Sequence, residues 1–217
     1  LEWTGSTPKA VRQPDFLTCD DPSFRPVQVR LGPDGALWIA DFYNPIIGHY
    51  ESPLTHPDRD RAHGRIWRVV WHGEDYARRT PPVAPDLTRL DAPGLVTALG
   101  DPNLAVRVLA THELVERVGG ETARSALAAA PVPAPALARA FAETRLGVPW
   151  SAVSDGMKTA EDLGVAVRLL AERGQLGEVE RRWIERTVAR TEPGHVWRAV
   201  ADLCLRHPAD WQAPLLL

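Results

Sequence analysis

Apolar and polar positions alternate through the first third of the chain and then change to a helical period. Residues 27–31 alternate, Gly32-Pro33-Asp34-Gly35 is tight-turn chemistry, and residues 36–42 form a second β-rich run. A polar loop follows, and residues 65–71 read as a third strand. The pattern predicts a three-stranded antiparallel meander. Upstream, Gly5, Pro8 and Pro14 break any period, so residues 1–14 are expected to be irregular. Residues 15–18 suggest a short strand, and Cys19-Asp20-Asp21-Pro22 a turn, with Cys19 expected as a small packed side chain.

Beyond residue 73 the composition shifts. Pro81, Pro82 and Pro85 exclude a helix and favour an extended spacer, which places a linker at 81–86 between a segment 1–80 and a segment 87–217. Four stretches of the second segment share the form apolar–Arg–apolar–apolar–Ala. Their arginines, Arg107, Arg139, Arg168 and Arg198, are 32, 29 and 30 residues apart. Asp101, Pro133, Asp162 and Glu192 precede them by six residues, and an acidic residue there suits the cap or first turn of a helix. A period of about 30 residues fits one helix pair per repeat, and such pairs bury their apolar faces by stacking into a solenoid. In the helix expected over 101–118, Leu104, Val108, Thr111, Val115 and Val118 fall on one predicted core stripe. Leu109 and Leu170, two residues beyond their arginines, are expected on packed faces.

The loop 44–63 holds His49, Glu51, His56, Asp58, Arg59, Asp60, Arg61 and His63. Long loops at the rim of a rigid β scaffold are where binding groups gather. Three readings stay open for it. One is a solvated loop held by Asp–Arg pairs and by asparagine and aspartate turn contacts. A second is an active-site loop, with His49 and Asp41 as candidate catalytic groups and Asn44, Arg59 and Asp60 as candidate cofactor-binding groups. A third, metal binding, is the weakest, because the histidines are seven residues apart and no H-x-H or H-E-x-x-H occurs; no metal ligand is assigned. Asp41 itself either faces a ligand as base or accepts N–H groups of the turn that follows it. Trp38, Trp67 and Trp71 read as packing surfaces. The histidines of the helical segment, His112, His195 and His207, read as surface or satisfied residues.

Two resemblances rest on particular residues. Leu99-Gly100-Asp101-Pro102-Asn103-Leu104-Ala105-Val106-Arg107 resembles a HEAT repeat of the short bacterial kind, with Pro102 then expected in the first helical turn. Ser23-Phe24-Arg25-Pro26-Val27, Gly32-Pro33-Asp34-Gly35-Ala36-Leu37, Ala40-Asp41-Phe42-Tyr43-Asn44, Ile46-Ile47-Gly48-His49 and His63-Gly64-Arg65-Ile66-Trp67-Arg68-Val69 resemble the closing region of large β-propeller proteins of planctomycete and verrucomicrobial type. These carry the label membrane-bound dehydrogenase and a haem-binding region. The resemblance covers about the first third of the chain. It implies an α+β fragment: a terminal propeller blade running into an all-α HEAT-like solenoid. It implies a parent similar to quinoprotein sugar dehydrogenases, periplasmic or exported, using pyrroloquinoline quinone and haem c. In that reading the chain holds no cofactor of its own, is not independently catalytic, and has as partners the missing blades and a cytochrome c domain. The rival expectation is a HEAT-repeat scaffold that binds a protein partner and uses the β segment as a cap.

Composition narrows these readings little. A net charge of −3 gives no electrostatic case for nucleic acid or an anionic membrane. No apolar run approaches the roughly 18 residues of a membrane span. Cys19 and Cys204 form no C-x-x-C pair and no C-x-x-C-H haem attachment.

Overall fold

Alternation in the first third and helical period in the rest fold as that pattern implies, into a mixed α/β chain. The computed structural model describes residues 2–4, 7–48, 52–73, 83–131, 137–154, 157, 159–173, 175–189, 194–210 and 212. Their order is β1 (Glu2–Thr4), β2 (Thr7–Lys9), β3 (Pro26–Leu31), β4 (Leu37–Asp41), β5 (Arg65–Val69), then α1 (Ala92–Ala98), α2 (Leu104–His112), α3 (Gly120–Ala129), α4 (Leu137–Arg145), α5 (Trp150–Ser154), α6 (Ala160–Ala171), α7 (Glu178–Val188) and α8 (Gly194–Arg206). Two compact units are present. One comprises Gln13–Asp86 with Asn103–Val106; the other comprises Leu1–Arg12, Leu87–Pro102 and Arg107–Leu217. Among the described residues, no helix is long and apolar enough to cross a membrane.

In the first unit β3, β4 and β5 form an antiparallel sheet in that order, with Val29 opposite Ile39 and Ile39 opposite Trp67. The turn Gly32-Pro33-Asp34-Gly35 closes with Gly35 N donating to Gly32 O at 3.0 Å, and Gly35 takes φ +76°, where a side chain would be strained. The interior of this unit is small and unusually polar. Its buried hydrophobic residues among those described are Ala36, Ile39 and Val106, alongside buried Asp34, Asp41 and Asn44. Strand β3 is exposed along its whole length, and Val27, Val29 and Leu31 are 65%, 55% and 43% exposed.

The second unit has the apolar interior. Trp150, Val153, Val167, Leu170, Ile184, Val200 and Leu203 anchor one cluster drawn from α4 to α8. Helix α6 starts on a capping box: Thr159 Oγ1 accepts the Asp162 amide at 3.1 Å, and Asp162 accepts the Thr159 amide at 2.9 Å. Gly164 lets α8 come close, since a Cβ there would lie 3.0 Å from the His195 ring. Arg107, Arg139, Arg168 and Arg198 fall on α2, α4, α6 and α8, one in every second helix. Two show their work: Arg107 donates to Asp101 O at 2.6 Å and Pro102 O at 2.9 Å, and Arg139 donates to Ala130 O at 2.9 Å. Each guanidinium ties off carbonyls of the loop that leads into its own helix. Arg139 also pairs with Glu143 at 2.6 Å, both buried.

Several expectations are corrected. Residues 1–14 are not wholly irregular, since β1 and β2 pair in a short hairpin, Trp3 opposite Pro8. Residues 15–18 form no strand, and Cys19 is exposed rather than packed. Strand β5 ends at Val69, which leaves Trp71 beyond it and exposed. Helix α2 begins at Leu104, so Pro102 precedes it, and Asn103 Oδ1 accepts the Ala105 amide at 2.8 Å in the capping role. The core stripe of α2 is rotated. Leu104 and Val108 are 57% and 47% exposed, while Val106, Ala110 and Leu114 are buried beside Thr111. Apolar residues surround this helix, so its period alone does not select a face. The phase then slips where Glu113–Val118 widens into a π-helical turn, Gly119 N donating to Leu114 O at 2.9 Å. Pro133 and Glu192 lie outside the described residues.

Leu170 is fully buried and Leu109 is 42% exposed. Leu170→Ala should therefore cost about 2–5 kcal/mol through the cavity it leaves, and Leu109→Ala no more than about 1 kcal/mol. Denaturant midpoints of the two variants check this; equal costs would show that the helices pack otherwise.

Arg139→Ala should cost about 3–5 kcal/mol, because it strands the buried Glu143 carboxylate. The double variant Arg139→Met, Glu143→Leu, which replaces the pair by apolar groups of similar volume, should recover most of that loss in the same measurement.

Candidate functional site at the end of the sheet

The described sequence candidates, Asp41, Asn44, Arg59 and Asp60, lie at the end of β4 and in the loop that leads from it to β5. Asp41, the last residue of β4, faces the same side as Ile39 by strand alternation. Its buried carboxylate meets three donors: Arg25 N at 2.8 Å and Tyr43 N at 2.9 Å on Oδ1, and Trp67 Nε1 at 2.8 Å on Oδ2. Burial works to raise its pKa, but these three N–H groups and the nearby Arg65 charge outweigh it, so the carboxyl sits below its ordinary value. Asp41 therefore does accept the turn N–H of the second sequence reading, and it adds a strand-crossing bond to an indole.

Tyr43 takes φ +49°, uncommon for a bulky side chain. Three contacts hold it there: its amide on Asp41, its hydroxyl donating to Asp21 Oδ2 at 3.1 Å, and the Arg65 guanidinium 3.6 Å from its ring centroid. Arg65 also lies 5.7 Å from the Trp67 ring, against which Phe24 packs edge-on at 6.2 Å. Asp21 is turned by its own Ser23 amide at 2.9 Å, which with Tyr43 and Arg65 lowers its pKa despite some desolvation. The Tyr43 hydroxyl is pushed up, chiefly by the carboxylate it donates to.

The cofactor-binding candidates of the loop are engaged with the loop itself. Buried Asn44 donates Nδ2 to Asp60 O at 2.8 Å and accepts the Ile46 amide at 3.1 Å. Arg59 donates to Pro53 O at 3.1 Å, to Ser52 O at 3.0 Å and to Gly48 O. Arg61 donates to Leu54 O at 2.9 Å. Asp60 Oδ1 accepts the amides of Ala62 and His63, and its Oδ2 meets His63 Nδ1 at 2.7 Å. These contacts hold its pKa down. The expected Asp–Arg pairs are replaced by arginine-to-carbonyl bonds, because a folded-back loop exposes more unpaired carbonyls than carboxylates. His49 and Glu51 lie outside the described residues. No group of three or more His, Cys, Asp or Glu among the described residues could hold a metal ion.

At the opposite end of β4, Asp34 accepts the Ala36 amide and Trp38 Nε1, each at 3.1 Å, and Arg68 in a fork at 2.8 and 2.7 Å. Sequence reasoning placed Asp34 in the turn but missed this role, as it missed Asp21, Tyr43, Arg65 and His63. A D-x-x-x-W spacing across a hairpin turn is a usable signal for Asp34–Trp38. The positive φ of Tyr43 has none.

A small antiparallel sheet with a polar-stapled end, within a chain that continues into a run of helices, is the class these observations define. A family described as a domain of unknown function (DUF7133) matches residues 1–73, which contain strands β1 to β5 and the loop. No curated protein and no solved structure matches the chain.

Asp21, Asp34, Asp41 and Asp60 all sit below the ordinary aspartate value of 3.8. Groups lowered by folding stabilise fully above that value and lose their contribution as pH falls through the folded one. Acidification below about pH 4 should therefore loosen the sheet, read by near-ultraviolet circular dichroism. Asp41→Asn keeps an acceptor for the two amides but sets an N–H against Trp67 Nε1–H, costing about 1–3 kcal/mol at neutral pH. The companion Trp67→Phe, which removes that clash, should recover part of it; a variant as stable as the parent would show the carboxylate to be dispensable.

Proposed function

We propose that the chain is part of a propeller-type redox protein similar to quinoprotein sugar dehydrogenases, with β3, β4 and β5 as blade strands and the helices as HEAT-like repeats. On this reading the chain is not independently catalytic, and the longer protein uses pyrroloquinoline quinone and haem c in a periplasmic or exported setting. The observation that supports it most is the interior of the sheet unit. Three strands whose unit buries three hydrophobic residues among those described, with Val27, Val29 and Leu31 exposed on β3, have the makeup of one blade whose neighbours supply the rest. The end of the sheet that carries Asp41, Tyr43 and the loop 42–64 would then be a rim, where the loops of several blades assemble a channel. One blade contributes one such loop. His49 and Asp41 remain its candidate catalytic groups, with Asn44, Arg59 and Asp60 as candidate cofactor contacts; the bonds these last three make favour a structural share in shaping the rim.

A second reading, a scaffold that binds a protein partner through its helices, draws on the exposed Leu104, Val108 and Leu109 of α2. The flanking reading frame separates the two: further blades upstream and a C-x-x-C-H downstream belong only to the redox reading.

The purified chain should show no oxidation of sugars with an artificial electron acceptor, with or without pyrroloquinoline quinone. Turnover that disappears in His49→Ala would overturn the incomplete-site reading and make this loop a catalytic site by itself.

A further inference from the structure

Two described histidines of the loop 42–64 are held in opposite senses. His56 Nδ1 receives the Asp58 amide at 3.2 Å, so it is an acceptor, and its proton belongs on Nε2. His63 Nδ1 faces Asp60 Oδ2 at 2.7 Å. An ionised carboxylate only accepts, and the low pKa of Asp60 keeps it ionised at neutral pH. The proton of neutral His63 therefore lies on Nδ1, and the Nε2 lone pair is left free. Asp60 cannot turn away easily. Its Oδ1 is fixed by the Ala62 and His63 amides at 2.9 and 3.1 Å, and its own carbonyl is tied to buried Asn44 beside the end of β4. The His63 side chain is 70% exposed while that of Asp60 is 26% exposed, so the orienting group is sheltered and the oriented group is presented.

We propose that His63 is a ligand-binding residue of this rim, its Nε2 accepting a hydrogen bond from a ligand hydroxyl, with Asp60 as the positioning residue that fixes the tautomer. An imidazole free to change tautomer offers a donor or an acceptor equally. One held at Nδ1 by a carboxylate offers an acceptor alone. That selects donors, such as the hydroxyls of a polyol, over bare acceptors. The choice of a polyol rests on the sugar-oxidising reading above; the tautomer does not.

The test is long-range proton–nitrogen correlation on the uniformly labelled full chain, in alkaline buffer where imidazole is neutral. His63 should show the Nδ1–H pattern and His56 the Nε2–H pattern in the same spectrum. Asp60→Asn leaves an oxygen for the two amides but turns an NH2 group toward Nδ1, so His63 should change to Nε2–H while His56 stays as it was. On titration with D-glucose the His63 Nε2 resonance should move saturably in the parent chain, and that response should be lost in Asp60→Asn. An Nε2–H pattern for His63 in the parent, or the same pattern in both proteins, overturns the positioning role. A fixed tautomer with no response to glucose overturns the hydroxyl assignment. A saturable response beside a longer protein that oxidises no sugar leaves His63 a binding residue and sinks only the redox reading.

Discussion

Strand β4 is held at both ends by an aspartate that accepts an indole N–H, and the sheet unit depends on that arrangement. Asp34 takes Trp38 Nε1 and Arg68 at the hairpin turn; Asp41 takes Trp67 Nε1 and the Arg25 and Tyr43 amides at the far end. The three buried hydrophobic residues of this unit among those described cannot by themselves offset the ordering of this chain segment. Charge-assisted bonds to buried carboxylates make up part of the difference, each stronger than a neutral bond and each costly to strand. They also specify. The Asp41 contacts join the segment before β3, the second residue after β4 and a side chain of β5, so one carboxylate ties the three strands together. A one-residue slip of β5 would turn Trp67 to the other face and leave Oδ2 of the buried carboxylate without its donor.

The same constraint shapes the rim. With Asp41 fixed, Tyr43 is drawn into the left-handed region, and its ring becomes the platform on which Arg65 lies. Asn44 follows directly and anchors the distant Asp60, which in turn orients His63. The order of causes runs from a buried strand-end carboxylate to an exposed imidazole through a few short links. That is how a scaffold with little apolar core can still present a defined side chain.

How far this was legible depends on the length scale of each interaction. Strand and helix identity came from alternation and period, which are local, and β3, β4, β5 and the four arginine-bearing helices lie where those patterns place them. The arginine spacing was legible, although its cause was not: Arg107 and Arg139 serve the carbonyls of their lead-in loops, a bond that no residue type announces. The face of α2 was misread because Leu104, Ala105, Val106, Val108, Leu109 and Ala110 are apolar all round the helix. Burial there is decided by neighbours, and the π-helical turn from Glu113 shifts the phase further. Cys19 was misread for a related reason, since a small apolar side chain packs only where a neighbouring element reaches it.

The candidate site divides in the same way. Asp41 was singled out because a carboxylate ending a strand invites a role, and its turn contact lies two residues away, within reach of sequence reasoning. Its bond to Trp67 spans 26 residues and depends on the strand order, which alternation alone does not give. Asn44, Arg59 and Asp60 drew attention for their chemistry, yet chemistry does not say whether a polar group serves a ligand or its own backbone. In a long loop whose described residues form no helix or strand, many carbonyls and amides have no ladder partner, and polar side chains are the nearest substitutes. Arg59 spends its guanidinium on three of them. His63 differs from them in that its Nδ1 is held by Asp60 while its side chain stays largely exposed. Loop polarity is thus mostly spent on folding the loop, and only a side chain that keeps a donor or acceptor exposed has one left to offer a ligand.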